Sequence, residues 1–331
     1  MVNSRCERHC FYCRPSGESL PIKNNLQIEL DKLLGICSFF KDMGVTDIKI
    51  TGGDPALWEP LVHCVTKLKN ELGFRQVHVI SRHPRMGELC TDLAEAGVDL
   101  INFSLDTLNK DLYVKITGRE DLEELLVSIS RCVEAGVKCK VNTVIMKGVN
   151  DKELPDILKF CEVNKVSEVK LLDMIKDLDL GDESYIKRLK IITGKENTKL
   201  TDLYLPLQGI KEKLQEKSLK TETIYQGGLG HPMTKITLES GLDVVVKDHL
   251  QGAWYGSVCK NCKFYPCHDA LMAIRLTPDY RLQFCLLRED TAINLLPYLI
   301  QNDTEIIKQE LKSALSVYEK AYFRTIGSNN E

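Results

Sequence analysis

Segments of strand length alternate with amphipathic helical segments through the first half of the chain, and this alternation restricts the possible folds more than any other feature. The strand patterns cover residues 47–50, 76–80, 99–105, 138–146 and 168–174. Repeated strand–helix units predict a parallel sheet with right-handed crossovers, in which functional residues gather at the carboxyl ends of the strands. We therefore expect an α/β fold in which residues 1–180 form a partial parallel barrel of the (β/α)6 type.

A different pattern begins after residue 180. Residues 181–200 are polar and break the alternation, which is typical of a boundary. Beyond them the sequence predicts a hairpin over residues 233–246 with a Ser-Gly turn, and a last helix capped near residues 302–304. The apolar face of that helix is expected to contain Ile307, Leu311, Leu315, Tyr318 and Tyr322. We therefore expect residues 181–331 to form a second domain.

The composition excludes some classes of protein. The chain has 331 residues, of which 43% are hydrophobic and 27% charged, with a formal net charge of −3. This mixture is typical of a globular protein and gives no general electrostatic reason to bind nucleic acid. No apolar run has the length of a bilayer span, and the first residues lack the apolar stretch of a signal peptide. We expect a cytoplasmic protein that binds neither nucleic acid nor membrane.

The spacing of the thirteen cysteines divides them into isolated and clustered ones. Clustered thiols in a reducing compartment indicate metal binding or catalysis. Six cysteines stand alone and are predicted to pack as small apolar residues: Cys37, Cys64, Cys90, Cys132, Cys139 and Cys161. The other seven form two groups, which are Cys6, Cys10 and Cys13 near the N-terminus, and Cys259, Cys262, Cys267 and Cys285 near the C-terminus. Two groups suggest two metal centres.

The first group lies in the sequence CERHCFYC, residues 6–13. A structural zinc ion usually takes four protein ligands, and His9 is a conceivable fourth ligand here, although we interpret it as a surface histidine. A four-iron cluster held by only three cysteines leaves one iron with an open position, which a small molecule can occupy. The spacing favours the iron–sulfur cluster.

CERHCFYC, together with TGGDP after the next strand, resembles the radical S-adenosylmethionine (SAM) superfamily. The segments NFSLDTLNKDLYVKITGRE and VEAGVKCKVNTVIMKGVND are similar to the GTP 3′,8-cyclase family, which begins molybdenum cofactor biosynthesis, and the resemblance covers about residues 6–290. It implies that a [4Fe–4S] cluster on Cys6, Cys10 and Cys13 cleaves SAM to a 5′-deoxyadenosyl radical with one electron. An electron donor such as flavodoxin or ferredoxin is then expected.

The resemblance also implies which residues surround SAM. It assigns Gly52, Gly53 and Asp54 to the methionyl amino group, Lys170 to the methionyl carboxylate, where the family has an arginine, and Ser81, Ser104 and Asn142 to the adenosyl moiety. Structural interpretations stay open at two places. The glycine pair could be a turn that needs positive φ, and Ser104 could only cap a strand end.

The sequence CKNC followed by IRLTPDYRLQFC resembles the auxiliary-cluster segment of the same family, in which three cysteines leave an iron free to contact the purine of GTP. This implies a second [4Fe–4S] cluster on Cys259, Cys262 and Cys285, in an auxiliary-cluster domain formed by residues 181–331. Cys267 belongs to an apparent insertion, KFYPCHDAL. A fourth thiolate would close the cluster, whereas a buried bystander would leave it open. A structural zinc site is the alternative for the whole group.

GTP is the substrate that the resemblance favours, and Lys49, Lys140 and Arg275 are expected at its triphosphate. Lys49 and Ala273 stand where the family has arginines, and a lysine lacks the bidentate fork of arginine. The five residues before Cys6 are too few for the family's first strand, and the chain ends in YFRTIGSNNE instead of a Gly-Gly tail. The alternatives are a radical SAM enzyme that modifies another small molecule or a peptide side chain, and a non-catalytic iron–sulfur or zinc protein.

Overall fold

A computed structural model of the chain describes residues 1–13, 25–175, 183–196, 198–225, 232–248, 251–267, 273–285, 287–288 and 290–325. The main sheet contains β1 (Asp47–Ile50), β2 (Gln76–Ser81), β3 (Leu100–Ser104), β4 (Cys139–Val144), β5 (Glu168–Leu172), β6 (Ser218–Tyr225), β7 (Pro232–Leu238) and β8 (Asp243–Lys247). Their spatial order is β1-β2-β3-β4-β5-β8-β7-β6.

The first six positions of this order form a parallel array. Strands β1 to β5 pair in parallel, and β8 continues the array beside β5, whereas β7 and β6 add to it antiparallel. The parallel array confirms the predicted partial barrel, and the β7–β8 pair confirms the predicted hairpin. Its turn contains Gly241 at a φ of 85°, a conformation that favours glycine. The sheet thus continues past residue 180, and the division of the chain there stays a prediction.

The helices are α1 (Leu30–Asp42), α2 (Leu61–Thr66), α3 (Met86–Glu95), α4 (Lys110–Thr117), α5 (Leu122–Glu134), α6 (Leu154–Val163), α7 (Glu183–Thr193), α8 (Gln208–Gln215), α9 (Leu296–Ile300) and α10 (Thr304–Glu319). Apolar side chains of α1 to α6 pack with the strands in one core. In α5, the amphipathic spacing buries Leu122, Leu125 and Ile129. All six isolated cysteines are buried, which confirms that they serve packing. Among the residues described, every helix is too short or too polar to traverse a lipid bilayer.

The two faces of the parallel array differ in chemistry, because successive side chains of a strand point to opposite faces. Val79, Phe103 and Val141 are fully buried in the core that the helices share. The other face, which we call the polar inner face, carries Lys49, His78, Asn102, Ser104, Lys140, Asn142, Glu168 and Lys170. A sheet face that is covered only for stability is normally apolar, so these polar side chains indicate a ligand site.

The residues before Cys6 run alongside the chain that follows β1. The amide of Val2 donates to the carbonyl oxygen of Thr51 at 2.7 Å, and the amide of Gly53 donates to that of Asn3 at 2.8 Å. The amide of Asp54 donates to the Arg5 carbonyl at 2.8 Å. Cys6 therefore begins its loop beside the turn at residues 52–54.

The C-terminal part adds two small sheets, formed by β9 (Ala253–Tyr255) with β13 (Tyr322–Arg324) and by β10 (Arg275–Leu276), β11 (Arg281–Gln283) and β12 (Ile293–Asn294). The carboxylate of Asp303 accepts from the Ile306 amide at 3.1 Å and begins α10, which confirms the predicted cap. The helix buries Ile307 and Leu311 as expected. Tyr322 was wrongly expected on its apolar face, because the helix ends at Glu319 and Tyr322 lies in β13.

Candidate active site

The first cysteine loop, residues 6–13, is held firmly against the barrel. The amide of His9 donates to the carbonyl oxygen of Thr117, the last residue of α4, at 2.8 Å. Phe11 is fully buried and packs in a small apolar cluster with Met146. The side chain of His9 is exposed, as predicted for a surface histidine. The backbone of the loop therefore presents its cysteines from a fixed position.

The thiols of this loop lie in surroundings that disfavour the thiolate when no metal is bound. Loss of hydration around the sulfur raises the pKa of Cys6 to about 11, although part of this residue is exposed to solvent. The nearby Asp54 carboxylate and a Cys10 thiolate would add to this shift. Burial also raises the pKa of Cys10. The thiolate is the form that binds metal. An iron–sulfur cluster would supply the positive charge that keeps these sulfurs deprotonated.

Arg82, which directly follows β2, joins Cys10 to a buried polar network. Its Nη1 donates to the Cys10 Sγ at 3.5 Å, and its Nη2 donates to the Asp106 Oδ2 at 2.6 Å. The Tyr12 hydroxyl bonds to the same carboxylate oxygen and contacts the guanidinium. The Asp106 Oδ1 accepts from the Val144 amide at 2.9 Å. Burial alone would lower the pKa of Arg82, but Asp106 and Cys10 raise it well above its usual range.

Gly52 and Gly53 are required by close approach of the chain. A Cβ on Gly52 would lie 2.8 Å from the carbonyl oxygen of Asn3, and one on Gly53 would lie 2.6 Å from that of Ser4. Neither glycine has positive φ, so the interpretation as a positive-φ turn was wrong. The absence of side chains lets the N-terminal segment reach Cys6 directly over this turn.

Asp54 and Ser81 bind each other. The Ser81 hydroxyl donates to the Asp54 Oδ1 at 2.6 Å, and the same oxygen accepts from the Ala56 amide at 3.1 Å. The Asp54 Oδ2 accepts from the Arg82 amide at 2.9 Å. Both side chains are almost fully buried, and Ser81 has the strand parity of the core rather than of the polar inner face. These contacts fix the turn after β1 to the end of β2.

Ser104, Asn142 and Lys170 form one row across β3, β4 and β5. Ser104 is the direct partner of Asn142, which is the direct partner of Lys170. The Asn142 Oδ1 is buried and accepts no hydrogen bond. The Oδ1 of Asn102, on the same face, is also buried and accepts none. Unsatisfied buried acceptors are costly and rare. Two of them on one face fit a ligand that donates hydrogen bonds, as the adenosine and amino groups of SAM do.

Two lysines of the polar inner face, Lys49 and Lys170, have a lowered pKa. Burial, followed by the charges of Lys140 and Lys247, lowers the pKa of Lys170 well below its usual range. Loss of hydration and the charge of Lys140 lower the pKa of Lys49 to about 8, although its side chain still reaches solvent. Lys140 is paired with Glu168 on β5. The excess positive charge on this face suits an anionic ligand.

Arg275, the third residue expected at the phosphates, lies outside the main sheet. It pairs with Gln283 in the sheet of β10 and β11. The neighbouring Leu276 accepts a hydrogen bond from the Met1 amino group at 2.7 Å. This contact ties β10 to the N-terminal segment, whereas Lys49 and Lys140 lie on the main sheet.

All four cysteines of the second group line one cavity, whose wall also includes Tyr255, Tyr265 and Arg288. The Cys262 amide donates to the Cys259 carbonyl oxygen at 3.1 Å, and the Leu287 amide donates to the Cys285 Sγ at 3.2 Å. An amide aimed at a sulfur stabilises the thiolate form. The insertion that carries Cys267 therefore brings a fourth thiol to the site expected for three. Within the described ranges, no three His, Cys, Asp or Glu side chains converge on a single-ion site.

Several residues at the first site could not be identified from the sequence. Arg82, Asp106 and Tyr12 stand far apart in the chain and resemble ordinary loop or strand-end residues in the sequence. Asn102 had a signal that was overlooked. It alternates with Ser104 in an otherwise apolar strand, which places both on one face.

Comparison with known proteins agrees with this fold and site. Residues 2–161 match the family model described as Radical SAM superfamily. The chain is therefore a radical SAM protein, and enzymes of this class bind SAM and a [4Fe–4S] cluster. The solved structure of SuiB from Streptococcus suis bound to S-adenosylmethionine is similar with a TM-score of 0.60 at 14% identity, over 89% of this chain and 62% of SuiB. That likeness concerns the fold alone.

Curated relatives narrow the family further. The probable GTP 3′,8-cyclase of Methanothermobacter thermautotrophicus is 25% identical over 309 residues, which cover 93% of this chain and 90% of the relative. The GTP 3′,8-cyclase of Rhizobium etli is 30% identical over 229 residues, covering 69% of this chain and 61% of the relative. The chain is thus an enzyme of the radical SAM class that is similar to GTP 3′,8-cyclases.

Proposed function

We propose that this protein is a GTP 3′,8-cyclase-like enzyme that uses a SAM-derived radical to act on GTP or a related nucleotide. The observation that carries the proposal is the polar inner face, where Ser104, Asn142 and Lys170 form one row and burial and neighbouring lysines lower the pKa of Lys170. The likeness to cyclases along most of the chain supports the same substrate. A nucleoside triphosphate supplies the anionic groups that this face would bind.

Cys6, Cys10 and Cys13 would hold the first cluster, which supplies the electron that cleaves SAM when both are bound. Asn142 and Asn102 would accept hydrogen bonds from SAM, because their buried oxygens have no protein donor. Lys170 would pair with the methionyl carboxylate. That carboxylate would restore the proton affinity that burial and the neighbouring lysines take from Lys170. The turn at Gly52, with the buried Asp54 behind it, would lie beside the methionyl amino group.

Lys49 and Lys140 would bind phosphate oxygens, and Arg275 would add a further contact from β10. Lys140 would exchange Glu168 for phosphate, since both are anionic partners. Cys259, Cys262 and Cys285 would hold the second cluster. The electron would come from a flavodoxin or ferredoxin in the cytoplasm.

The test is anaerobic turnover of the reconstituted and reduced protein with SAM and GTP, followed by mass spectrometry. We expect 5′-deoxyadenosine and a cyclised purine product. Cys10→Ala is expected to abolish both products, whereas Cys161→Ala, which changes a fully buried cysteine of the core, is expected to keep them. Formation of 5′-deoxyadenosine with unchanged GTP would reject the substrate but keep the radical chemistry.

A second candidate is a radical SAM enzyme that modifies another small molecule or a peptide side chain. The observation that favours it is the fourth thiol in the C-terminal cavity, because a cluster with four thiolates has no iron free to contact a purine. The same assay with other nucleoside triphosphates and with peptides would identify such a substrate. Turnover of any of them that exceeds turnover of GTP would replace the first proposal.

A further inference from the structure

We propose that Cys267 is the fourth ligand of the second cluster, so that this cluster is closed and takes no substrate atom as a ligand. The inference rests on the proposed presence of a second cluster. It begins from the cavity that Cys259, Cys262, Cys267 and Cys285 line together. A tetrahedral zinc site needs only the space of one ion at about 2.3 Å from each sulfur. Among the described residues, no three His, Cys, Asp or Glu side chains converge on a single-ion site, whereas all four cysteines line this one cavity, an arrangement that suits a larger cluster.

The insertion is built into the fold around this cavity. The Tyr265 amide donates to the Cys262 carbonyl oxygen at 3.1 Å, so the chain turns back directly after the CKNC sequence. The Tyr255 hydroxyl donates to the Cys267 carbonyl oxygen at 3.0 Å. Cys267 is 6% exposed and packs with Tyr255 and Ala253 in an apolar cluster. The hydrogen bond from Tyr255 fixes the backbone of Cys267 at the cavity wall.

Two aromatic side chains form part of the same cavity wall. The rings of Tyr255 and Tyr265 meet edge to face with centroids 4.9 Å apart. The guanidinium of Arg324 lies 5.1 Å from the Tyr265 ring centroid and donates to the Tyr265 hydroxyl at 2.9 Å. Arg324 belongs to β13, which pairs with β9. Strand β13 thus contacts Tyr265, which belongs to the cavity wall.

Polar groups near the cavity also suit thiolate ligands. Arg288 lines the cavity, and its Nη1 donates to the Val258 carbonyl oxygen at 2.6 Å, which fixes the guanidinium beside the CKNC turn. The Leu287 amide donates to the Cys285 Sγ. The Arg288 guanidinium is shared with the Asp290 carboxylate, to which its Nε donates at 2.9 Å, so the Leu287 amide is the donor aimed directly at a cluster sulfur. The substrate would then be oriented by side chains of the main sheet rather than by an iron of this cluster.

The test uses full-length chains in which Cys6, Cys10 and Cys13 are alanine, so that only the second cluster is observed. One chain keeps Cys267, one carries Cys267→Ala, and a matched control carries Cys161→Ala, a buried cysteine outside the cavity. Each is reconstituted anaerobically, analysed for iron and zinc, and studied by electron paramagnetic resonance before and after mild oxidation and addition of cyanide or GTP. The unsubstituted active enzyme is assayed in parallel for GTP turnover.

We expect about four irons in the chain that keeps Cys267 and in the Cys161→Ala control, and spectra that neither cyanide nor GTP changes. Cys267→Ala is expected to show a three-iron signal after oxidation and a spectrum that cyanide shifts. If cyanide or GTP changes the spectrum of the chain that keeps Cys267, the inference is overturned, whatever the Cys267→Ala chain shows. One zinc and no iron would also overturn it. Closed-cluster behaviour without GTP turnover would reject only the proposed substrate, and turnover with an open cluster would reject only the inference.

Discussion

Replacing Arg82 by methionine is expected to destabilise the protein strongly. The guanidinium and the Asp106 carboxylate are 9% and 2% exposed, and Arg82→Met removes the charge while it keeps an unbranched apolar stem. The Asp54 contact survives, because it uses the Arg82 backbone amide. Asp106 would stay buried with only the Val144 amide and the Tyr12 hydroxyl as donors.

The magnitude follows from this burial. Removal of one partner of a buried ion pair costs about 3–5 kcal/mol, and the remaining donors of Asp106 place the expected cost at the lower end, about 3 kcal/mol. A domain is stable by only about 5–15 kcal/mol, so this loss is readily measured. Arg75→Met is the matched control, because Arg75 and Asp47 form an ion pair whose side chains are 68% and 41% exposed. Its expected cost is below about 1 kcal/mol.

The assay is equilibrium urea unfolding of the cluster-free full chains under anaerobic, reducing conditions. A double variant, Arg82→Met with Asp106→Asn, is expected to recover part of the loss, since it leaves no unpaired buried charge. In the loaded protein, Arg82→Met is also expected to lower the reduction potential of the first cluster, because a positive charge and an N–H donor at Cys10 favour the reduced form. A cost for Arg82→Met equal to that of Arg75→Met would refute the reasoning.

Three further changes test other parts of the site. Because the pKa of Lys49 is lowered to about 8, this lysine loses its charge as the pH rises. The affinity for GTP, measured by calorimetry, is therefore expected to fall between about pH 7 and 9 in the unsubstituted protein and to fall less in Lys49→Met. An equal fall in both proteins would contradict this. Gly53→Ala is expected to lower the free energy of unfolding in urea by about 2 kcal/mol or more and to reduce iron loading, because its Cβ collides with the backbone of the segment before Cys6. The control is Gly35→Ala in α1, whose Cβ meets nothing within 4 Å and which is expected to raise the free energy of unfolding by about 0.5–1 kcal/mol. Similar results for both variants would exclude the close-approach argument. Asn142→Ala removes an unsatisfied buried acceptor, so it is expected to raise the midpoint of thermal unfolding of the ligand-free protein. The same variant is expected to bind SAM more weakly. An unchanged affinity for SAM would show that Asn142 does not belong to the site.

The fold was predictable where local pattern decides it. Each predicted strand up to residue 174 exists, because short apolar runs between helical patterns cannot satisfy their backbone groups except in a buried sheet. The sixth parallel strand was less visible. β8 was expected only as half of a hairpin, and its pairing with β5 depends on a contact between segments more than 70 residues apart. Helix α4 was also unforeseen, although Asn109 caps it and Gly118 ends it at a φ of 73°.

In the candidate site, too, the features that depend on local sequence were predictable and those that depend on long-range contacts were not. The cysteine spacing within each group is local and could be interpreted from the sequence, whereas the Arg82–Asp106–Tyr12 network joins residues 24 and 70 positions apart. The strand parity of Ser81 was also hidden, because the end of β2 reads equally well in either register. Only the structure shows that the Ser81 hydroxyl is bound to Asp54. Long-range contacts, not residue types, decide these assignments.

The charge on the polar inner face discriminates between the substrate candidates. Lys49, Lys140 and Lys170 lie on one sheet face, where burial and the repulsion between them lower the pKa of Lys49 and of Lys170. Such repulsion lowers the stability of the ligand-free chain, and apolar residues would serve packing better. A carboxylate or triphosphate removes the repulsion, and a ligand at about 100 times its Kd stabilises the folded chain by about 2.7 kcal/mol. A neutral peptide side chain would add no anion to the SAM carboxylate at Lys170, so the repulsion between Lys49 and Lys140 would remain. The electrostatics of this face therefore favour a nucleotide, even if the second cluster makes no bond to it.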